Sequence, residues 1–307
     1  MNIIVTGGAG FIGSWVCDTY IKNGHNVLVI DNLSTGSENN INDKAEFINC
    51  DIRDYEKLNE VFKKFKPQIV NHHAAQINVR ESVENPVFDA DVNILGSLQI
   101  CKLCNDHKVH KLIFSSTGGA IYGEPKLIPA DEQSQKDPLS PYGISKLSVE
   151  NYIKYYNKTY NLDYVILRYS NVYGERQNPH GEAGVVAIFC TNILNNKPCI
   201  VFGKGDQTRD YVHVSDVANA NLLALNSENG IYNIGTSVET SVNEIIRTLK
   251  EITNIDFKII YKDERVGEVS RISIDNTYAK NNLFWEPINN FKSGIEKTWK
   301  WFKEKSN

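Results

Sequence analysis

Tyr142 and Lys146 are the residues of this sequence best suited to move a proton. They stand four positions apart in Tyr142-Gly143-Ile144-Ser145-Lys146, and on a helix that spacing puts both on one face, about one turn apart. A tyrosine with a pKa near ~10 is a poor base at neutral pH, but a close ammonium stabilises the phenolate and lowers that value. Upstream, Ser115-Ser116-Thr117-Gly118-Gly119 is rich in hydroxyls, and Thr117 can offer one to the oxygen that gives up the proton. A Tyr-x-x-x-Lys spacing also arises by chance, as an exposed aromatic beside a solvated lysine. Its setting argues otherwise. The segment has a defined helix start, with Ser140 as N-cap and Pro141 at the first helical position, and it follows a run of alternating strands and helices.

The first of those units says what the pair would work beside. Ile3-Ile4-Val5 reads as a strand and passes into Thr6-Gly7-Gly8-Ala9-Gly10-Phe11-Ile12-Gly13. A helix-like segment, Ser14 to Lys22, and a second apolar run, Val27 to Ile30, follow and end on Asp31. Strand, glycine turn, helix, strand and acid in that order are the context in which a glycine motif means dinucleotide binding. Gly7 permits a tight turn, Gly10 lets backbone approach a pyrophosphate, and Gly13 lets helix and strand pack closely. The helix N-terminus offers N–H groups to the phosphates. Asp31, eighteen residues past Gly13, suits a ribose hydroxyl pair and would repel a 2′-phosphate. Asn32-Leu33-Ser34-Thr35-Gly36 has no Arg or Lys to neutralise one, so NAD is favoured over NADP. A nicotinamide charge beside Tyr142 would lower its pKa further.

The remaining elements give the fold class: α/β, a Rossmann-type doubly wound parallel sheet with a smaller C-terminal α/β substrate domain. Strands are expected at 45–48, 68–71, 111–114 and 164–167, with helices at 55–65, 87–106 and 141–160. An Asp51-Ile52 pair after the third strand could meet an adenine ring. His72 and His73 end the fourth strand and read as packing residues, with Ala74 and Ala75 letting a cofactor approach. Beyond Gly174 the alternation loosens, with helices at 185–195, 214–225 and 242–253 and strands at 199–202, 231–234 and 257–261. The expected division is a NAD-binding domain over 1–170 and a mainly substrate-binding domain over 171–307, some of whose segments return to the first.

Composition excludes several classes. The 307 residues are 41% hydrophobic and 23% charged, an ordinary globular balance. A net charge of −4 gives no case for nucleic acid or an anionic membrane. No apolar run approaches a membrane span and the chain opens on a strand, so neither an anchor nor a signal peptide is expected, and cytoplasmic residence is the default. Of six cysteines, Cys101 and Cys104 form a C-x-x-C, but inside an apolar helix-like stretch without a second pair or a histidine at ligand spacing. Buried free thiols are expected, and no metal.

The glycine motif, Tyr142-x-x-x-Lys146 and Arg168-Tyr169-Ser170-Asn171-Val172-Tyr173-Gly174 resemble the extended short-chain dehydrogenase/reductases that act on nucleotide sugars, and among them the UDP-hexose 4-epimerases. Gly203-Lys204-Gly205-Asp206-Gln207-Thr208-Arg209-Asp210-Tyr211 and Arg265-Val266-Gly267-Glu268 are similar too, so the resemblance covers essentially the whole chain. It implies that Phe11, Ile12, Asp31, Asn32, Ser34, Gly36, Asp51, Ile52, Ala74, Ala75, Gln76, Asn93, Tyr142, Lys146 and Tyr169 bind NAD. It implies that Thr117, Asn171, Arg209, Tyr211, Arg265 and Glu268 hold the UDP-sugar, the arginines matching a diphosphate. The implied reaction is oxidation of the sugar 4-hydroxyl, with Tyr142, Lys146 and Thr117 catalytic, followed by re-reduction from the opposite face while NAD stays bound. Related nucleotide-sugar epimerases, dehydratases and decarboxylases are the alternatives, and a non-catalytic NAD(P) sensor is a more remote one.

Some positions depart from that pattern. Counting forward from Phe114 selects Thr117 as the catalytic hydroxyl, whereas counting back from Tyr122 selects Gly118. Thr117 is preferred, because a loop absorbs a glycine more readily than the chemistry loses a hydroxyl. Gly118-Gly119 stands where the dehydratases and decarboxylases carry an acid, which argues for epimerisation. Ile272, four past Glu268, falls where the family tunes room for an N-acetyl group, so N-acetylhexosamines are expected to fit. A homodimer through the helices at 87–106 and 141–160 is implied, with Tyr152, Tyr155, Tyr156 and Tyr160 as its surface.

Overall fold

In the computed structural model, residues 1–179, 184–264 and 269–306 are described. Short apolar runs build the central sheet. In β1 (Asn2–Thr6), Ile3 and Val5 enter the core on one face and Ile4 that on the other, as the two-residue period of a strand requires. β2 (Asn26–Asp31), β3 (Glu46–Asn49), β4 (Ile69–His72), β5 (Lys111–Thr117) and β6 (Asp163–Tyr169) join it. With Gly230–Ile234 they form a seven-stranded sheet in the order Gly230–Ile234, β6, β5, β4, β1, β2, β3, parallel throughout. The chain winds outward from β1 through β2 and β3, then restarts at β4 on the other side. The crevice at the carboxyl ends of β1 and β4 is therefore the topological switch point, where ligands of open α/β sheets bind.

Helices cover both faces, which is why the strands are apolar on both sides. Phe11–Lys22 and Val214–Ala224 share one core, and Tyr55–Phe65, Ser97–Asp106 and Pro141–Tyr160 the other. A third core gathers Val185–Leu194, Val242–Thr253 and Phe291–Ser306 around the paired strands Cys199–Phe202 and Ile259–Lys262. The doubly wound parallel sheet expected from the sequence is present. Segments from beyond residue 171 complete it, since Gly230–Ile234 pairs with β6 and Val214–Ala224 packs on Phe11–Lys22.

Helices Tyr55–Phe65 and Pro141–Tyr160 have the expected bounds, capped by Asp54 and Ser140, whose side chains accept from the N–H groups of Lys57 and Gly143. The single helix expected over 87–106 is broken into Pro86–Ala90, a π-helical turn Asp91–Gly96, and Ser97–Asp106, with a separate helix at Val79–Glu84. The wide turn accompanies a side-chain bridge. Asn93 accepts from the Gln76 N–H and donates to the Gln76 carbonyl, both at 2.9 Å, a contact of the kind for which π-bulges are retained. The first helix begins at Phe11 rather than Ser14, because Gly10 is extended and the Ser14 N–H already donates to its carbonyl. β5 runs three residues past its expected end, pairing Ser115, Ser116 and Thr117 with β6.

Candidate active site

A cavity of about 340 Å³ opens at the switch point. At one end the chain turns through Gly7, whose φ of +71° is left-handed, and a Cβ there would lie 2.6 Å from the backbone nitrogen of Ala74. A Cβ at Gly13 would lie 2.2 Å from the Gly7 carbonyl oxygen. The turn, the helix and the segment after β4 thus touch through backbone, which leaves room above for a ligand. No side chain caps the N-terminus of Phe11–Lys22, so its first N–H groups and the positive end of its dipole suit an anionic group. Asp31 ends β2 with its carboxylate fixed by the N–H groups of Ala9 at 3.0 Å and Leu33 at 2.8 Å. Beside it Asp51 accepts from Asn32 at 2.9 Å and from Arg53, and the Arg53 bonds hold its carboxyl well below the usual range. Arg53 is also bound by Asp91 at 2.7 Å, so its charge is already matched by two carboxylates.

The other end carries the proton-moving groups. Thr117, Tyr142, Lys146, Tyr169 and Asn171 line it together with Ser115, Ser116 and Ser170. The ammonium of Lys146 donates to the Ser115 carbonyl at 2.9 Å and lies 4.9 Å from the Phe114 ring centre and 5.9 Å from that of Tyr142. Burial pushes the lysine down to about 8. His72 and His73 are pushed down to about 3, by burial first and then by the Lys146 charge. Both therefore face it as neutral rings. His72 is spent on Thr6 at 2.6 Å and Ser97 at 2.9 Å, and His73 stacks on Tyr169.

Of the residues expected at the cofactor, the cavity wall includes Gly7, Gly10, Phe11, Ile12, Gly13, Asp31, Asn32, Ser34, Asp51, Ile52, Ala74, Ala75, Tyr142, Lys146 and Tyr169. Gly36, Gln76 and Asn93 stand behind that wall. A Cβ at Gly36 would press on Asp31 and Ala9, while Asn93 and Gln76 bond each other and Asp89. Among the expected substrate residues, Thr117 and Asn171 are in the wall. Arg209 is not, and its guanidinium donates to the Thr208 carbonyl at 2.8 Å. Tyr211 is a core residue, packed against Tyr173 and Phe291, because its strand is buried along its length. Arg265 and Glu268 lie outside the described residues. Ile272 is 2% exposed among Ile121, Tyr122, Ala130 and Ile274 and is not in the described wall. Gly118 is buried against Ile274, whereas Thr117 is the last residue of β5.

The wall also contains Thr35, His73, Ile77, Val92, Ser170 and Gln177, which motif spacing did not single out. Position could have found His73 and Ser170, each directly following the carboxyl end of a sheet strand. His73, expected as a packing residue, both stacks on Tyr169 and lines the cavity.

Residues 3–235 match the model of the NAD dependent epimerase/dehydratase family. The chain belongs to that family. It is 39% identical to the UDP-glucose 4-epimerase of Mycolicibacterium smegmatis over 100% of both chains. It is 47% identical to the crystal structure of Thermotoga maritima UDP-glucose 4-epimerase with UDP-glucose, with a TM-score of 0.98 over 100% of both chains. To the Thermus thermophilus UDP-glucose 4-epimerase complex with NAD it is 41% identical, with a TM-score of 0.95 over 99% of each chain. The NAD that the family uses fits what this chain presents: an uncapped helix N-terminus, a glycine cradle that a Cβ would fill, and a fixed ribose-side carboxylate.

Proposed function

We propose that this epimerase/dehydratase family member interconverts UDP-glucose and UDP-galactose at the sugar C4. The observation that carries the reading is that Tyr142, Lys146 and Thr117 line one end of the cavity whose other end is the glycine turn with Asp31. When bound, NAD supplies a reversible acceptor for the hydride at C4. Tyr142 takes the proton of the 4-hydroxyl and later returns it. Lys146, held over the tyrosine ring, stabilises the phenolate, and Thr117 hydrogen-bonds the same sugar oxygen. Ala74 and Gly7 let the cofactor lie against backbone, and Asp31 holds its ribose.

Epimerisation is favoured over elimination because Asp31 and Asp51 are the acids in the described wall, both at the ribose end. Among the described residues of the wall, no acidic side chain stands at the Thr117 end to remove a second proton. Relatives of matching length named UDP-glucose 4-epimerase support the same substrate class.

We further infer a cytoplasmic homodimer. The six cysteines are free and buried, as a reducing compartment allows, and no helix among the described residues is long and apolar enough to cross a membrane. Val87, Phe88, Leu95, Ile144, Tyr152, Tyr155 and Tyr160 are exposed on the neighbouring stretches 86–96 and 141–160, while Tyr156 packs inward. That surface suits a second copy.

Incubating the purified chain with UDP-glucose, UDP-galactose and their N-acetyl counterparts, followed by product separation, tests the reading. Appearance of the C4 epimer, abolished by Tyr142→Phe, is the expected result. Release of water or carbon dioxide, or no turnover of any sugar, rejects it.

A further inference from the structure

Asp89 is a carboxylate with no exposed surface that makes no ion pair among the described residues. Its side-chain donors among the described residues are all neutral. Ser145 donates to one oxygen at 2.6 Å, and Asn93 at 2.9 Å and Gln76 at 3.0 Å to the other. These three partners lie on the helix bearing Tyr142 and Lys146, the π-helical turn, and the segment after β4 that lines the cavity. Burying a carboxylate is costly, and neutral donors recover only part of that cost.

We propose that Asp89 is the counter-charge of the Lys146 ammonium and, through Ser145, a positioning residue for the Tyr142–Lys146 pair. This rests on the reading of Tyr142 as the proton carrier. Ser145 precedes Lys146 in the chain, so the Asp89 bond pins the helical turn from which the lysine projects. Among the described residues, the ionisable groups about that ammonium are few. Tyr142 and Glu150 come from its own helix, His72 and His73 from the end of β4, and Asp89 from Pro86–Ala90. The histidines are neutral, and burial keeps the nearby Tyr169 protonated. Glu150 is gripped by Arg168 at 2.6 and 2.9 Å, which cancels most of its field. Among the described residues Asp89 has no such partner, and it is the larger of the two acidic charges opposing the effect of burial on Lys146.

Asp89→Asn tests this, because it preserves shape while removing charge, and Asp89→Ser serves if the amide does not fold. Loss of a negative charge lowers every nearby pKa. Both limbs of the kcat/KM–pH profile are expected to move to lower pH by roughly one unit, the order of effect of removing one nearby charge at an effective dielectric of about 20. Ser145→Ala keeps the charge and loosens the turn, so kcat falls several-fold with the limbs unmoved. The phenolate ultraviolet difference titration, read without sugar as the step missing from Tyr142→Phe, should shift the same way in Asp89→Asn. Because it needs no turnover, it reports on Asp89 even if the chain epimerises nothing. Unmoved limbs and an unmoved phenolate step in a folded uncharged variant would overturn the electrostatic role. An unchanged kcat in Ser145→Ala would overturn the positioning role.

Discussion

Arg168 grips Glu150 with two bonds, from Nε at 2.9 Å and from Nη2 at 2.6 Å, and both side chains are buried. Glu150 also accepts from Ser116 at 2.7 Å, and Arg168 donates to Tyr122, whose hydroxyl donates on to Asn233 at 2.7 Å. One ion pair thus ties β5, β6, Gly230–Ile234 and the loop beyond Thr117 to the helix of Tyr142 and Lys146. Removing one member strands a charge in the interior, at a cost of about 3–5 kcal/mol. Arg168→Met should therefore lower the unfolding free energy by that amount in urea titration. The double change with Glu150→Leu should recover much of it. Equal stability of wild type and Arg168→Met would show that the pair holds nothing.

The glycine turn fails by contact rather than by flexibility. At Gly13 an added methyl would overlap the Gly7 carbonyl at 2.2 Å, and at Gly7 it would meet the Ala74 nitrogen at 2.6 Å in a left-handed backbone. Such overpacking costs about 1–3 kcal/mol. Gly13→Ala is expected to raise the Kd for NAD about tenfold or more, since each ~1.4 kcal/mol is a factor of ten. Gly24→Ala is the contrast: it is left-handed but has nothing near its Cβ position, so it should strain its turn without weakening NAD. Calorimetric titration of all three proteins decides the point.

Asp31 selects the cofactor by charge. Its oxygens are already oriented by the N–H groups of Ala9 and Leu33. Hydrogen bonds to a charged group contribute about 1.5–3 kcal/mol, so Asp31→Ala should weaken NAD roughly tenfold to a hundredfold. NADP should remain poor, because Arg53 is held by Asp51 and Asp91. Only with Ser34→Arg added should NADP binding overtake NAD. Strong NADP binding by the single variant would count against this account.

How much of this was legible beforehand follows from how local each signal is. The turn at Gly7–Gly13, the acid at 31 and the cap at Ser140 are written in adjacent residues, and the fold places them as the spacing implies. What depends on distant partners was not legible. Asn93 carries no local mark of its bridge to Gln76, so a helix was expected where a π-helical turn forms. Tyr211 carries no local mark of its packing against Tyr173 and Phe291, which only the fold brings to it. Asp89 carries no local mark of its burial, and only the fold brings Ser145 onto it.

The lysine that serves the chemistry should weaken the fold, with a pH dependence of fixed sign. Lys146 is pushed down to about 8 by burial, from an ordinary value of 10.5. Below about pH 8 it is protonated in both the folded and unfolded states, so the full penalty of a buried ammonium applies. Between about 8 and 10.5 the unfolded chain binds the extra proton, and stability rises with pH by linkage. The unfolding free energy of wild type minus that of Lys146→Met should therefore climb from pH 7 to pH 10, by an amount on the order of 2–3 kcal/mol. Activity should run the other way. As Lys146 loses its proton above about pH 8 the phenolate loses its cation, so kcat/KM for the epimerisation should fall there, while Lys146→Met should be slow throughout and lack that limb. Denaturant titrations and initial rates on the same two proteins measure both. A stability difference independent of pH, or one that falls as pH rises, would show that Lys146 is not the buried, depressed ammonium the structure makes it.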